Sequence, residues 1–294
     1  MGLDEASTGT LSKAQREQFQ TRGWLLLEDA VDPDLLDALR RDMHGWIEQS
    51  RAHTDNYGST INGRPRFDLD PTHSADHPGL RRVNAPVEIS EAHLRAATDS
   101  RMVDAVADLI GPAIRFHHSK TNAKLPHTRT PVRYHQDFAF TPHSNDDLVT
   151  VLLMLDEVTE QNGCLEVVDG SHRGPIHTLW HDQRFTGAVS ESVERTARSG
   201  ATRVVGPAGS ACLMHTRLLH GSAPNDSDLP RTLFICVYSA ADAVPLSPNP
   251  MPSRFEGRLL RGRASGRVRS QSFELELPEL LTGTSFFEQQ ATVD

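Results

Sequence analysis

Arg133-Tyr134-His135-Gln136-Asp137-Phe138-Ala139-Phe140 carries a histidine and a carboxylate two residues apart, in a stretch of aromatic and strand-forming character. In an extended strand, residues i and i+2 point to the same face, so His135 and Asp137 can reach one metal ion together. A third ligand has to come from elsewhere, and the best candidate is His220 in Leu218-Leu219-His220-Gly221-Ser222. Two histidines and one carboxylate are the facial triad of non-haem Fe(II) oxygenases, which leaves metal positions open for substrate and oxygen. The triplet alone is weak evidence, because a chain of 294 residues with 15 histidines and many aspartates produces one by chance. His53-Thr54-Asp55 is a second such triplet. It lies in polar sequence with no apolar alternation and reads as solvated loop.

Composition bounds what surrounds this stretch. With 37% hydrophobic residues the chain can bury a core large enough for one sizeable domain. A formal net charge of -9 and the absence of a basic cluster argue against a nucleic-acid partner. Cys164, Cys212 and Cys236 fall in apolar strand-like runs, where buried thiols are ordinary, and imply a reducing compartment. The N-terminus lacks the pattern of a signal peptide, and apolar runs such as Val149 to Leu155 are too short to span a bilayer. The expectation is a soluble, cytoplasmic protein with no membrane partner.

Along the chain, residues 1 to 10 form a polar terminus. Ser12 with Gln15 makes a capping box for a short helix ending at Gly23, and Trp24 to Leu27 is a short strand. Asp32-Pro33 opens an amphipathic helix with Leu36, Leu39, Met43, Trp46 and Ile47 on one face. From 51 to 87 periodicity disappears, and the segment reads as a long loop or lid. Arg66, Arg81 and Arg82 lie within it: they grip an acid, phosphate or phosphonate of a substrate, or they form a solvated loop face. Helical periodicity returns at 91 to 110, with Asp99 or Ser100 able to cap a second segment. Strands are then predicted at 114 to 124, 132 to 140 and 148 to 158. Asn162-Gly163 reads as a hairpin turn into 164 to 168, and further strands follow at 203 to 205, 210 to 214 and 231 to 239. Helices followed by many short strands indicate a mainly β protein, a sandwich or jelly roll with helices covering one sheet.

Arg231 follows His220 across a polar, turn-like segment, so a hairpin would bring it back beside the metal ligands. A buried arginine near a metal needs a carboxylate, which its planar fork binds bidentately. A dicarboxylate that chelates iron at one end and meets Arg231 at the other, with the Ser222 hydroxyl as a further donor, satisfies both. 2-Oxoglutarate is such a molecule. The ordinary alternative is an ion pair with Asp228 at a strand end.

His135-Gln136-Asp137, Asn162-Gly163-Cys164-Leu165-Glu166-Val167-Val168 leading to Gly170-Ser171-His172, His220-Gly221-Ser222 and Arg231 together resemble the phytanoyl-CoA dioxygenase family, which includes ectoine hydroxylase. The resemblance covers roughly residues 11 to 240. It implies a double-stranded β-helix of cupin-like type and oxygenation dependent on Fe(II), 2-oxoglutarate and O2. By the same resemblance His135, Asp137 and His220 match the iron ligands, Arg231 and Ser222 match the residues holding the distal carboxylate, and Asn122 matches an asparagine that contacts 2-oxoglutarate. Asp137, being a carboxylate, disfavours the halogenase variant of the triad.

The expected organisation is one oxygenase domain over 1–294: a helical part with a lid loop (1–112), a β core (113–241) with an insertion at 173–200, and an extension (242–294). The expected reaction is hydroxylation of an unactivated C–H bond of a small molecule, with succinate and CO2 as co-products. Phe138 and Phe140, alternating with the ligand positions, are expected to line the substrate pocket. The competing readings are a cupin-like dioxygenase or isomerase that uses the triad without 2-oxoglutarate, and a binding protein that keeps only the fold.

Overall fold

The computed structural model describes residues 9–126, 131–279 and 290, so most of the expected polar terminus and the last part of the C-terminal extension lie outside the described residues. The first third holds α1 (Lys13–Arg22), β1 (Trp24–Leu27), α2 (Pro33–Ser50), β2 (Phe67–Leu69), β3 (Leu80–Asn84), α3 (Glu91–Thr98) and α4 (Arg101–Ile110). Then come β4 (Ile114–Lys124), β5 (Val132–His135), β6 (Leu148–Met154), β7 (Leu165–Val167), β8 (Trp180–His181), β9 (Arg184–Phe185) and α5 (Glu191–Ser199). The chain continues through β10 (Thr202–Val204), β11 (Ala211–His215), β12 (His220–Ser222), β13 (Arg231–Ala240) and β14 (Leu259–Arg261).

Local chemistry sets the helix ends as expected. Ser12 and Gln15 close a capping box, and Gly23 ends α1 in the left-handed region at φ 84°. Asp32 accepts from Leu35 N–H, with Pro33 in the first turn of α2. The helical stretch at 91–110 is broken after Thr98, and Ser100 is the N-cap residue of α4.

Two antiparallel sheets face each other. The larger runs β1-β11-β6-β13-β4-β3-β2, with β14 added to β4, and the smaller runs β10-β7-β12-β5. Alternation sorts the side chains of the large sheet. Val149, Val151 and Leu153 of β6 and Phe234, Cys236 and Tyr238 of β13 pack with helix residues such as Leu35, Leu39, Met102 and Val106. Leu152 and Met154, with Leu233 and Ile235, pack instead against Leu165, Val167 and Val204 of the small sheet. Strands buried on both faces read as unbroken apolar runs, which is why β6 is so hydrophobic.

One irregularity decides what β4 shows to the inter-sheet space. Tyr238 pairs with Phe116 but Val237 pairs with His118, leaving His117 as an extra residue. This bulge shifts the alternation by one position. Phe116 packs toward the helices, whereas Lys120, Asn122 and Lys124, opposite Ile235, Leu233 and Arg231, line the space between the sheets.

Four sequence expectations are corrected. The 51–87 segment is not a structureless loop, since β2 and β3 extend the large sheet. Their alternation was hidden by Asp68, Arg81 and Arg82, charged residues that are nevertheless buried. The strand at 132–140 stops at His135, and Asp137–Ala139 form a 3-10 turn. Asn162-Gly163 is not a hairpin turn, because β6 and β7 belong to different sheets. Gly163 does hold φ 80°, but the turn carries the chain across the sandwich. β12 and β13 likewise lie in opposite sheets, so Arg231 nears His220 across the sandwich and not through a hairpin.

Gly221 sits in the middle of β12, between β5 and β7. A Cβ there would lie 2.8 Å from Tyr134 Cδ2 and 2.9 Å from the Val132 carbonyl oxygen. Gly221→Ala is therefore expected to displace β12, lower the thermal midpoint and weaken metal binding through the neighbouring His220, as measured by calorimetry and Mn(II) titration. Unchanged metal affinity would show that the strand accommodates the methyl group.

Candidate active site

The two histidines are partners across β5 and β12, where His135 registers directly opposite His220. Their rings lie with centroids 4.3 Å apart. The turn after Gln136 swings Asp137 beneath them, with its Oδ1 at 3.5 Å from His135 Nε2 and 3.8 Å from His220 Nε2. The three donors lie within 4.8 Å of one another, the only such group of three or more potential ligands among the described residues.

The other ring nitrogens fix the tautomers. His135 Nδ1 meets the Arg133 carbonyl at 2.8 Å and His220 Nδ1 meets the Leu218 carbonyl at 2.9 Å. A carbonyl only accepts, so each Nδ1 donates a proton to it and each Nε2 is the nitrogen turned toward Asp137. Burial, helped by neighbouring His135, pushes the His220 pKa down to about 4, which keeps it neutral at physiological pH. Burial alone would raise the Asp137 carboxyl, but His220, His135 and Lys120 hold it well below the usual carboxylate range. Thr150 Oγ1 donates to Asp137 Oδ2 at 2.6 Å, leaving Oδ1 toward the histidines. Two imidazoles and one oriented carboxylate on one side of a cavity fit a divalent iron ion with open positions.

The cavity runs from the triad between the sheets. Its walls include Thr150, Leu152, Leu165, Met214, Leu233 and Ile235, and its polar lining brings together Arg82, Lys120, Asn122, Lys124, Ser222 and Arg231. Arg231 Nε and Nη2 both donate to the Gly163 carbonyl, at 3.1 and 2.9 Å. Among the described residues no carboxylate forms an ion pair with it, Asp228 included, and Asp156 acts on it only as a nearby charge. Burial lowers the Arg231 pKa to about 10, so it stays protonated at neutral pH. Asn122 lines the same space and accepts from Arg82 Nε at 2.9 Å.

Among the expected substrate residues, Arg82 lines the cavity, and the others are placed differently. Arg66 forms a buried ion pair with Glu88 at 2.8 Å and donates to the carbonyls of Asn84, Ala85 and Ser59. Arg81 pairs with buried Asp68 at 2.9 Å. Both secure the 51–87 segment and do not face the cavity. Phe138 is fully buried with Leu148, Ala240 and Ala243, its ring 5.3 Å from Phe273. Phe140 packs edge-on to His135 at 5.6 Å and against Phe185, outside the cavity lining. The expected alternation failed because the strand ends before these residues. Gln136 braces the turn through Pro175 and Arg217 carbonyls and His177 N–H.

Lys120, Lys124 and Thr150 were missed. The two lysines share the period-two face of Asn122, a signal present in the sequence, whereas Thr150 is one polar residue inside an apolar run and gave none.

Similarity to known proteins agrees with this geometry. The family model for phytanoyl-CoA dioxygenase matches residues 19–233. The chain belongs to the phytanoyl-CoA dioxygenase family. It is 35% identical over 219 residues to a probable alpha-ketoglutarate-dependent hypophosphite dioxygenase of Stutzerimonas stutzeri, covering 72% of this chain and 76% of that one. It is 28% identical to L-proline trans-4-hydroxylase of Streptomyces griseoviridis, over 74% of this chain and 91% of the other. Among solved structures, EctD from S. alaskensis with 2-oxoglutarate and 5-hydroxyectoine superimposes with a TM-score of 0.67 at 22% identity, covering 93% and 91% of the two chains, so the fold is shared. With membership in this family the class of enzyme follows: a non-haem iron, 2-oxoglutarate-dependent dioxygenase of cupin-like fold. Among the described residues, no helix is long and apolar enough to cross a membrane.

Two outcomes test the site. Thr150→Val removes the donor to Asp137 and is expected to weaken Fe(II) or Mn(II) binding by roughly 10- to 100-fold, measured by metal titration. Arg66→Ala is expected to cost about 3–5 kcal/mol of stability by leaving Glu88 buried and unpaired. Its 2-oxoglutarate affinity should match that of the unaltered protein, and a selective loss of affinity would return Arg66 to the binding site.

Proposed function

We propose that this dioxygenase hydroxylates a C–H bond of a small molecule while 2-oxoglutarate is converted to succinate and CO2. In this reading His135, Asp137 and His220 hold the iron, Arg231 and Ser222 hold the distal carboxylate of 2-oxoglutarate, and Asn122 contacts the body of that molecule. The single observation that carries it is Arg231, a buried guanidinium with no ion pair among the described residues, lining the same cavity as the triad. Its spare charge is where a dicarboxylate anchored on a metal would end.

When bound, Fe(II) supplies the open positions at which a keto acid and dioxygen meet, together with the oxidising capacity. The chain's own part is placement. His220 and His135 each engage a backbone carbonyl through Nδ1, which turns both Nε2 atoms toward the metal position. Thr150 holds Asp137 to one orientation. Leu152, Leu165, Leu233 and Ile235 make the walls apolar, so the charged groups act in a medium where their attraction is stronger than in water.

A second reading of the substrate has its own support. The relative from Stutzerimonas stutzeri is named for hypophosphite, an anion. In this chain Arg82 and Lys120 add positive groups to the cavity beyond those assigned to 2-oxoglutarate. A small anion, oxidised at a C–H or a P–H bond, suits that lining.

Anaerobic titration of 2-oxoglutarate into the Fe(II)-loaded protein is expected to produce the weak visible band of a metal-chelated keto acid, with Arg231→Ala shifting its midpoint by roughly 10- to 100-fold. Iron binding without the band would favour the cupin-like alternative that does not use 2-oxoglutarate. Succinate release stimulated by hypophosphite or short phosphonates, but not by neutral or zwitterionic candidates, would select the anionic substrate.

A further inference from the structure

Asp137 stands between two residues that are held from outside the sandwich. On one side, the Gln136 carboxamide accepts from His177 N–H at 2.8 Å and donates to the Pro175 carbonyl at 3.1 Å, both in the 173–200 insertion. On the other, Phe138 is fully buried in a cluster with Leu148, Ala240 and Ala243, and Ile176, Phe273 and Leu275 pack against that cluster. The Phe273 ring stands nearly perpendicular to that of Phe138, with centroids 5.3 Å apart. Phe273 and Leu275 lie in the C-terminal extension, beyond the residues 19–233 that the family model matches.

The stretch from Arg269 to Leu277 forms no strand, yet it is tied down at both ends. At its start, the Ser144 hydroxyl and the Asn145 amide donate to the Arg269 carbonyl at 2.8 and 3.0 Å, and Gln271 N–H donates to the Ser144 carbonyl at 2.8 Å. The Arg269 guanidinium meets the carboxylates of Asp147 and Asp242. At its end, Thr178 donates to the Glu276 carboxylate, and Trp180 Nε1 donates to the Leu277 carbonyl at 3.1 Å. The first anchor grips the turn leading into β6, and the second grips the insertion that holds Gln136.

We propose that Phe273 is a positioning residue for Asp137, and that residues 269–277 form a strap fixing the turn of the carboxylate ligand from both flanks. A 3-10 turn of three residues has hydrogen bonds of poor geometry and no ladder to stiffen it, so its place is set by what packs on it. Thr150 sets the direction of the carboxylate, and the strap sets where the backbone beneath it lies. This rests on the reading of Asp137 as an iron ligand made above.

Mn(II) titration, together with the EPR line shape of the bound ion, which reports ligand geometry, tests the proposal. Phe273→Ala is expected to weaken Mn(II) binding by about tenfold and to change the line shape at saturation. Phe255→Ala removes a partly buried ring from the same extension, one that packs on the helical cluster, and so measures a general loss of packing. It is expected to change neither readout. Phe273→Leu keeps most of the apolar bulk and is expected to fall between the unaltered protein and Phe273→Ala. Unchanged affinity and line shape in Phe273→Ala, or equal changes in Phe255→Ala, would overturn the proposal and leave the strap a stabiliser of the fold. Should Phe273→Ala not fold, the same two results in Phe273→Leu would overturn it. If Asp137→Ala binds Mn(II) as tightly as the unaltered protein, the iron-ligand reading falls first.

Discussion

The direct pairing of His135 with His220 across two short strands is the constraint on which the site depends. Residues opposite one another in an antiparallel pair have their Cα atoms about 4.5–5.5 Å apart, close enough for two imidazoles to share one ion. That pairing alone supplies two ligands. A strand continuing past His135 would carry the side chain of residue 137 about 6.7 Å further along the same face. The chain instead turns at Gln136, and Gln136 itself ties that turn to the Pro175 and Arg217 carbonyls. The carboxylate is thereby brought back to 3.5 Å from His135 Nε2.

A hydrophobic sandwich has no natural place for lysine, arginine and asparagine, and the large sheet resolves this with one extra residue. Without the bulge at His117, the alternation that sends Phe116 into the helical layer would send Lys120, Asn122 and Lys124 there as well. The bulge divides β4 into a part that packs on helices and a part that serves the cavity. The neighbouring strands β6 and β13 need no such device, because their inner residues Leu152, Leu233 and Ile235 are apolar and form the cavity wall.

This division explains how far the sequence could be read. The helix ends at Ser12, Gly23 and Asp32 were legible because capping depends on local chemistry, and the triad was legible because its spacing and the combination of motifs are specific. β2 and β3 were not, since Asp68 and Arg81 satisfy each other inside the fold and so look, residue by residue, like solvent-exposed charge. Phe138 and Phe140 were misassigned for a different reason: period-two reasoning holds only while a strand lasts, and nothing in the residues marks its end at His135. The approach of Arg231 to the site was anticipated by a hairpin that does not exist. Position between the sheets, and not the connection, brings it there.

The electrostatics of the cavity oppose those of the molecule as a whole. The chain carries a formal charge of -9, while the cavity lining presents Arg82, Lys120, Lys124 and Arg231 against the single carboxylate of Asp137. The exterior charges are screened through solvent over about 8–10 Å at physiological ionic strength, so they do not draw an anion in from a distance. Attraction for a dicarboxylate must therefore arise locally, from groups whose desolvation has already been suffered in folding. A divalent metal at the triad adds to the same positive balance, and a dianionic keto acid relieves it. Because binding couplings are reciprocal, whatever the co-substrate gains from the metal, the metal gains from the co-substrate.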